Sequence, residues 1–209
     1  MRSPSSGSAA LHRNLSCVFR RNTQESGDRI NARLLKVFSR VTFILGGAAS
    51  GKSLFAEKLV MKHSGTRTYI ATSHVIDSET QQKIATHIAR RDEGWTTIEA
   101  PLALAGAISG LPAGQICLVD CITMWLANHM AAGSDPGREQ AALLAAIAAS
   151  KAPLVIVSNE VGQGIVPDNA LARRFREAQG RLNMALAAAA DTAVLVAAGL
   201  PLVLKGALP

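Results

Sequence analysis

The stretch Val41-Thr42-Phe43-Ile44-Leu45-Gly46-Gly47-Ala48-Ala49-Ser50-Gly51-Lys52-Ser53 decides the reading of this chain. Residues 41–45 form a short apolar run that a Gly-Gly pair stops, as a strand buried on both faces would. Residues 46–53 fit the glycine-rich P-loop pattern in full. Glycines let the backbone turn tightly and aim successive N–H groups at phosphate oxygens. The helix that follows points its positive end at the same place. Lys52 is expected to neutralise the β- and γ-phosphates, and the Ser53 hydroxyl to hold Mg²⁺. The expected ligand is a nucleoside triphosphate, ATP or GTP, bound along Gly46, Gly47, Ala48, Ala49, Ser50, Gly51, Lys52 and Ser53.

Downstream, apolar runs alternate with helical periodicities. A helix over 53–62, with Leu54, Phe55, Leu59 and Val60 on its apolar side, is followed by a strand at 68–72. A helix capped by Asp77 or Ser78 runs to about Arg91, with Ile84 and Ile88 on its packed face. Strand 95–99, helix 102–108 and strand 115–120 come next. A helix at 124–130, a turn at 133–136, a helix at 138–149 and a strand at 154–158 follow. The loop 159–167 leads to a long helix over 168–190, with Leu171, Phe175, Ala178, Leu182 and Leu186 on one side. Strands at 193–197 and 202–204 read as a closing antiparallel hairpin. The pattern predicts an α/β fold with a mainly parallel sheet flanked by helices. Asp120, ending an apolar strand, is the expected carboxylate partner of the bound metal.

With 209 residues and 48% hydrophobic content, a folded globule is expected. Of the formal charge of +7, residues 1–40 supply nearly all, through eight basic groups against Glu25 and Asp28. The remainder is almost neutral, so no nucleic-acid partner is expected from its charge. Residues 1–40 read as a basic, disordered leader, although an Arg- and Ser-rich, acid-poor segment also matches transit-peptide composition. Residues 41–209 read as the functional domain. No apolar window is long enough to predict a membrane span. Cys117 and Cys121 read as small buried side chains, and Cys17 completes no disulfide framework.

The same motifs resemble the bifunctional adenosylcobinamide kinase/adenosylcobinamide-phosphate guanylyltransferase family. The resemblance spans about 41–205. It rests on the P-loop, Tyr69-Ile70-Ala71-Thr72-Ser73, His87 with Arg90-Arg91, residues 95–99, Val119-Asp120-Cys121-Ile122-Thr123, and the long signature Ser158-Asn159-Glu160-Val161-Gly162-Gln163-Gly164-Ile165-Val166-Pro167. It implies a cytoplasmic, RecA-like homo-oligomer, a trimer. It also implies a two-step reaction: phosphorylation of adenosylcobinamide by ATP or GTP, then transfer of GMP from GTP through a GMP–histidine intermediate. His87 matches that nucleophile, and a neutral imidazole suits the task. By itself, His87 reads as a surface or core-edge histidine. His12, His63, His74 and His129 rank below it, with His63 ending a helix, where a cation would suit the dipole. Ala71, Thr72, Ser73, Ile88, Ala89, Arg90, Arg91, Glu99 and Asp120 match nucleotide-contacting positions. Glu99 and Asp120 divide guanine recognition and Mg²⁺ binding between them in an order the sequence leaves open. Ala49 stands where the family often has Arg, which removes one side-chain phosphate contact. The competing readings are a P-loop kinase for another small alcohol without transferase activity, and a RecA-like ATPase that binds nucleic acid through its leader.

Overall fold

Three stretches of the sheet, Val41–Gly46 (β1), Ile116–Asp120 (β4) and Leu154–Asn159 (β5), are buried along nearly their whole length. Strands with both faces apolar must lie in the middle of a sheet covered on both sides. The computed structural model, which describes residues 38–73 and 94–209, shows that arrangement. The other strands are Arg67–Ala71 (β2), Trp95–Glu99 (β3), Thr192–Ala197 (β6) and Leu200–Lys205 (β7). The helices are Lys52–Val60 (α1), Leu104–Ser109 (α2), Ile122–Ala131 (α3), Pro136–Ala149 (α4) and Ala170–Ala189 (α5).

Among the described residues, the seven strands lie in the order β3-β2-β4-β5-β1-β6-β7, parallel except for β7, which pairs antiparallel with β6. Side chains alternate across the sheet and build two cores. Ile44, Leu118, Val157 and Val194 meet Leu59 and Val60 of α1 on one face. Phe43, Val119 and Ile156 meet Trp125, Leu143, Leu182 and Leu186 of α3, α4 and α5 on the other. Each fully buried aliphatic side chain of this kind contributes about 1.5–3 kcal/mol.

Several element ends differ from the expectation. The turn ends at Asp135 and the helix after it starts two residues earlier than expected: Asp135 accepts hydrogen bonds from the N–H groups of Gly137 (2.9 Å) and Arg138 (3.4 Å), and Pro136 occupies the first helical position. α5 begins after Asn169, whose side chain accepts from the Ala172 N–H at 2.7 Å. β7 starts at Leu200 and includes Pro201, which an edge strand accommodates. Leu54 and Leu171, expected on packed faces, are exposed. The buried stripe of α5 includes two polar residues, Gln179 and Asn183, beside Leu182 and Leu186. The helix expected up to Arg91, with its capping residues, lies outside the described residues.

Candidate nucleotide site

The P-loop leaves β1 at Gly46 and enters α1 at Lys52. Gly46 is buried, and a β-carbon there would lie 2.5 Å from Ser50 Oγ and 2.6 Å from the Val196 carbonyl oxygen. Gly51 has φ 91°, a left-handed conformation that disfavours a side chain, and Ala49 also has positive φ (55°). The Gly199 N–H donates to the Ser50 carbonyl at 2.8 Å, so the β6–β7 turn braces the loop from behind. α1 has no side-chain N-cap, which leaves its first-turn N–H groups for a ligand. Lys52 Nζ donates to the Gly47 carbonyl at 3.2 Å, curling over the loop where phosphates would lie. Ser50 Oγ is buried without a partner. Together these features make an anion cradle. An open cleft of about 580 Å³ adjoins it, bounded by Gly47, Ala49, Ser50, Glu160, Gln163 and Ala198. A hollow of about 590 Å³ beside Trp125, Leu171 and Arg174 belongs to the opposite helical layer and shares no residue with the loop.

Asp120 ends β4, one strand beyond β5 from the P-loop strand. Alternation places it on the α1 face with Ile116 and Leu118. The neighbouring Cys121 thiol reports on the charges around it. Burial pushes it up to about 11, and the Asp120 carboxylate pushes the same way; the Met124 N–H, the Lys52 ammonium and the Thr123 hydroxyl pull it back. The Lys52 and Asp120 charges therefore act on one point. Glu99 ends β3. In register, Ala71 of β2 faces Glu99 on one side and Asp120 on the other. The two carboxylates thus leave the backbone two strand spacings apart, about 10 Å.

Thr72 was expected to touch nucleotide through its segment. Its side chain is instead completely buried: the hydroxyl donates to the Cys121 carbonyl at 2.6 Å and accepts from the Cys121 N–H at 2.9 Å. It ties the end of β2 to the end of β4. Ala71 and Ser73, partly exposed on either side, keep their places at the same edge. Asn128 supports this junction by donating to the Thr72 and Pro101 carbonyls at 2.8 and 3.0 Å.

His63 follows α1, and its Nδ1 accepts the Gly65 N–H at 3.0 Å. His129 is buried against Trp125, between Ser134 and the Leu102 carbonyl, as a core residue. His74, His87, Ile88, Ala89, Arg90 and Arg91 lie outside the described residues, and so does Cys17. Cys117 and Cys121 are buried free thiols, as their setting in apolar sequence indicated. No helix among the described residues is long and apolar enough to cross a membrane.

One group of polar residues escaped the sequence reading. Ser158, Gln179 and Asn183 are hydrogen-bonded to each other in the core, and Asn183 Nδ2 donates to the Asn159 carbonyl at 3.1 Å. The only trace in the sequence is two amides spaced four apart on the otherwise apolar side of α5. The loop after β5 is strapped down as well: Arg173 donates to the Pro167 and Asp168 carbonyls, and Arg176 to those of Gly162 and Ile165.

Strand order, phosphate cradle and the carboxylate ending β4 define a P-loop nucleotide-binding protein with a mainly parallel sheet. Among solved structures, the RadB recombinase overlaps 76% of this chain and 74% of its own, at 14% identity and a TM-score of 0.45. More specifically, the family model for cobinamide kinase / cobinamide phosphate guanyltransferase matches residues 42–204, and the chain belongs to that family. It is 43% identical over 167 residues to the bifunctional adenosylcobalamin biosynthesis protein CobP of Pseudomonas aeruginosa, covering 78% of this chain and 96% of that protein. It is 38% identical over 178 residues to the bifunctional adenosylcobalamin biosynthesis protein CobU of Escherichia coli, covering 78% and 98%. The chain is accordingly an enzyme, a transferase combining kinase and guanylyltransferase activities.

Proposed function

We propose that this enzyme phosphorylates the aminopropanol hydroxyl of adenosylcobinamide with ATP or GTP, then transfers GMP from GTP to that phosphate, in cobalamin biosynthesis. The supporting observation is the cradle, where uncapped α1 amides and Lys52 converge on the edge that carries Asp120. In the first step the hydroxyl oxygen bonds to Pγ as the bond from Pγ to the bridging oxygen breaks. The nucleoside diphosphate leaves with the electron pair, and the hydroxyl proton goes to water. Lys52 and the loop amides stabilise charge on the departing oxygen.

In the second step an imidazole nitrogen of His87 bonds to Pα of GTP and pyrophosphate leaves. A phosphate oxygen of adenosylcobinamide phosphate then attacks Pα and the N–P bond breaks, returning the imidazole and releasing adenosylcobinamide-GDP. Arg90 and Arg91 are assigned to the nucleotide phosphates, with Ile88 and Ala89 beside them.

The hard-oxygen donors of Ser53 and Asp120 suit Mg²⁺, which would supply charge neutralisation at the phosphates. Asp120 is given this role because it shares the surroundings of Lys52. Glu99, exposed and two strands away, is given guanine N1–H and N2–H₂, which a carboxylate accepts together. The proposed assembly is a cytoplasmic homotrimer without a nucleic-acid partner, checked by light scattering and a DNA-binding titration.

The deciding experiment is incubation with α-labelled GTP followed by intact-mass analysis. The expected adduct is one GMP, labile in acid and stable in alkali, absent from His87→Ala. An unlabelled wild type, or equal labelling of the variant, would refute the histidine mechanism.

A further inference from the structure

β5 is the strand that the P-loop strand and the Asp120 strand have in common as a neighbour. On one side Asn159 pairs with Gly46, the first P-loop residue; on the other, Val157 pairs with Asp120. Alternation puts Asn159 on the face of Val155 and Val157, the α1 face, and Ser158 on the opposite one. Asn159 Nδ2 lies 3.9 Å from the thiol sulfur of Cys121, the residue that feels both Lys52 and Asp120. A thiol is a weak acceptor, so this carboxamide is poorly satisfied within the protein.

Its backbone, by contrast, is held at both ends. The Asn159 N–H donates to Thr123 Oγ1 at 2.8 Å, and its carbonyl accepts from Asn183 Nδ2 at 3.1 Å. Asn183 is in turn fixed by Ser158 Oγ (2.7 Å) and Gln179 Nε2 (2.9 Å). These three side chains are buried, and Gln179 Oε1 has no partner. A network with an unsatisfied oxygen is a poorer core than apolar side chains of equal volume. Its return lies in what it holds still, the end of β5.

We propose that Asn159 is a further catalytic residue of the kinase step, donating from Nδ2 to a γ-phosphoryl oxygen of the nucleotide, with Ser158, Gln179 and Asn183 as its positioning residues. The inference rests on the P-loop reading above. Asn159 neither gains nor loses a proton; its N–H dipole stabilises charge on the equatorial oxygens while the acceptor hydroxyl displaces the diphosphate.

The test uses the full chain, with calorimetric affinities for GDP and for a non-hydrolysable GTP analogue in the presence of Mg²⁺. Asn159→Ala is expected to cut the preference for the triphosphate about tenfold, and to lower kinase kcat roughly 10²-fold with little change in the KM for cobinamide. Asn159→Asp, equal in shape, is expected to be worse than Asn159→Ala, because a carboxylate repels phosphate; a merely structural role predicts the reverse order. If Asn159→Ala fails to fold, the Asp variant decides. Asn183→Leu should lose less, and its effect should vanish in the Asn159→Ala background. Unchanged triphosphate preference and kcat in both Asn159 variants would overturn the proposal alone. A wild-type chain that binds neither nucleotide would overturn the P-loop reading beneath it as well.

Discussion

The Thr72 hydroxyl both donates to the Cys121 carbonyl, at 2.6 Å, and accepts from the Cys121 N–H, at 2.9 Å. One side chain thus satisfies both backbone groups of the residue after Asp120, inside a fully buried pocket. Thr72→Val keeps the shape and removes both hydrogen bonds. The Cys121 carbonyl keeps the Trp125 N–H at 3.3 Å, so one buried N–H is left unpaired, which should cost about 1–3 kcal/mol in urea unfolding. Nucleotide affinity should fall too, because the strand end bearing Asp120 is released. Thr72→Ser, which keeps the hydroxyl, should lose about 1 kcal/mol or less.

Gly46 and Gly47 are adjacent and differ sharply in tolerance. A β-carbon at Gly46 meets the Val196 carbonyl at 2.6 Å, a backbone atom of β6 that cannot step aside; one at Gly47 meets nothing within 4 Å. Gly46→Ala should destabilise by about 3 kcal/mol or more and weaken nucleotide binding at least tenfold. Gly47→Ala should unfold with the wild type. Thermal melts and nucleotide titrations of the pair check this.

Lys52 Nζ donates to the Gly47 carbonyl at 3.2 Å, and the side chain is partly exposed. Lys52→Ala should therefore leave stability within about 0.5 kcal/mol of wild type. Kinase turnover should drop by roughly 10²–10³-fold, since the transferring phosphoryl group loses its counter-charge. A variant with intact turnover would remove Lys52 from the mechanism.

The two buried thiols give the protein an alkaline weakness. Burial pushes Cys117 up to about 12 and, with the Asp120 carboxylate, Cys121 to about 11, from an ordinary 9.0. Above pH 9 the unfolded chain releases thiol protons that the folded chain retains. Stability from this source is therefore complete below pH 9 and declines as pH rises towards 11, by about 1.4 kcal/mol per pH unit for each thiol. Cys117→Val should flatten that decline by one thiol's share in urea titrations across the interval. Cys117 and Cys121 of the native protein should also resist thiol alkylation below pH 9.

Local sequence was enough for the parts of this protein that local physics controls. The apolar run of β1, the Gly46–Ser53 loop and the helix after it follow from residue size, backbone freedom and periodicity within a few positions. The place of Asp120 at a strand end was legible from the apolar run before it, and the family because its longest signature is contiguous. Tertiary structure decided what depends on residues far apart in the chain. It inserted β5 between the P-loop strand and the Asp120 strand, which brings Asn159 beside Gly46. It buried Thr72 against Cys121, 49 positions away, and set Gly199 behind Ser50. It also turned Gln179 and Asn183 inwards while leaving Leu171 exposed. Periodicity assigns residues to a face of an element, but which element covers that face, and whether a polar partner waits there, is set by long-range packing.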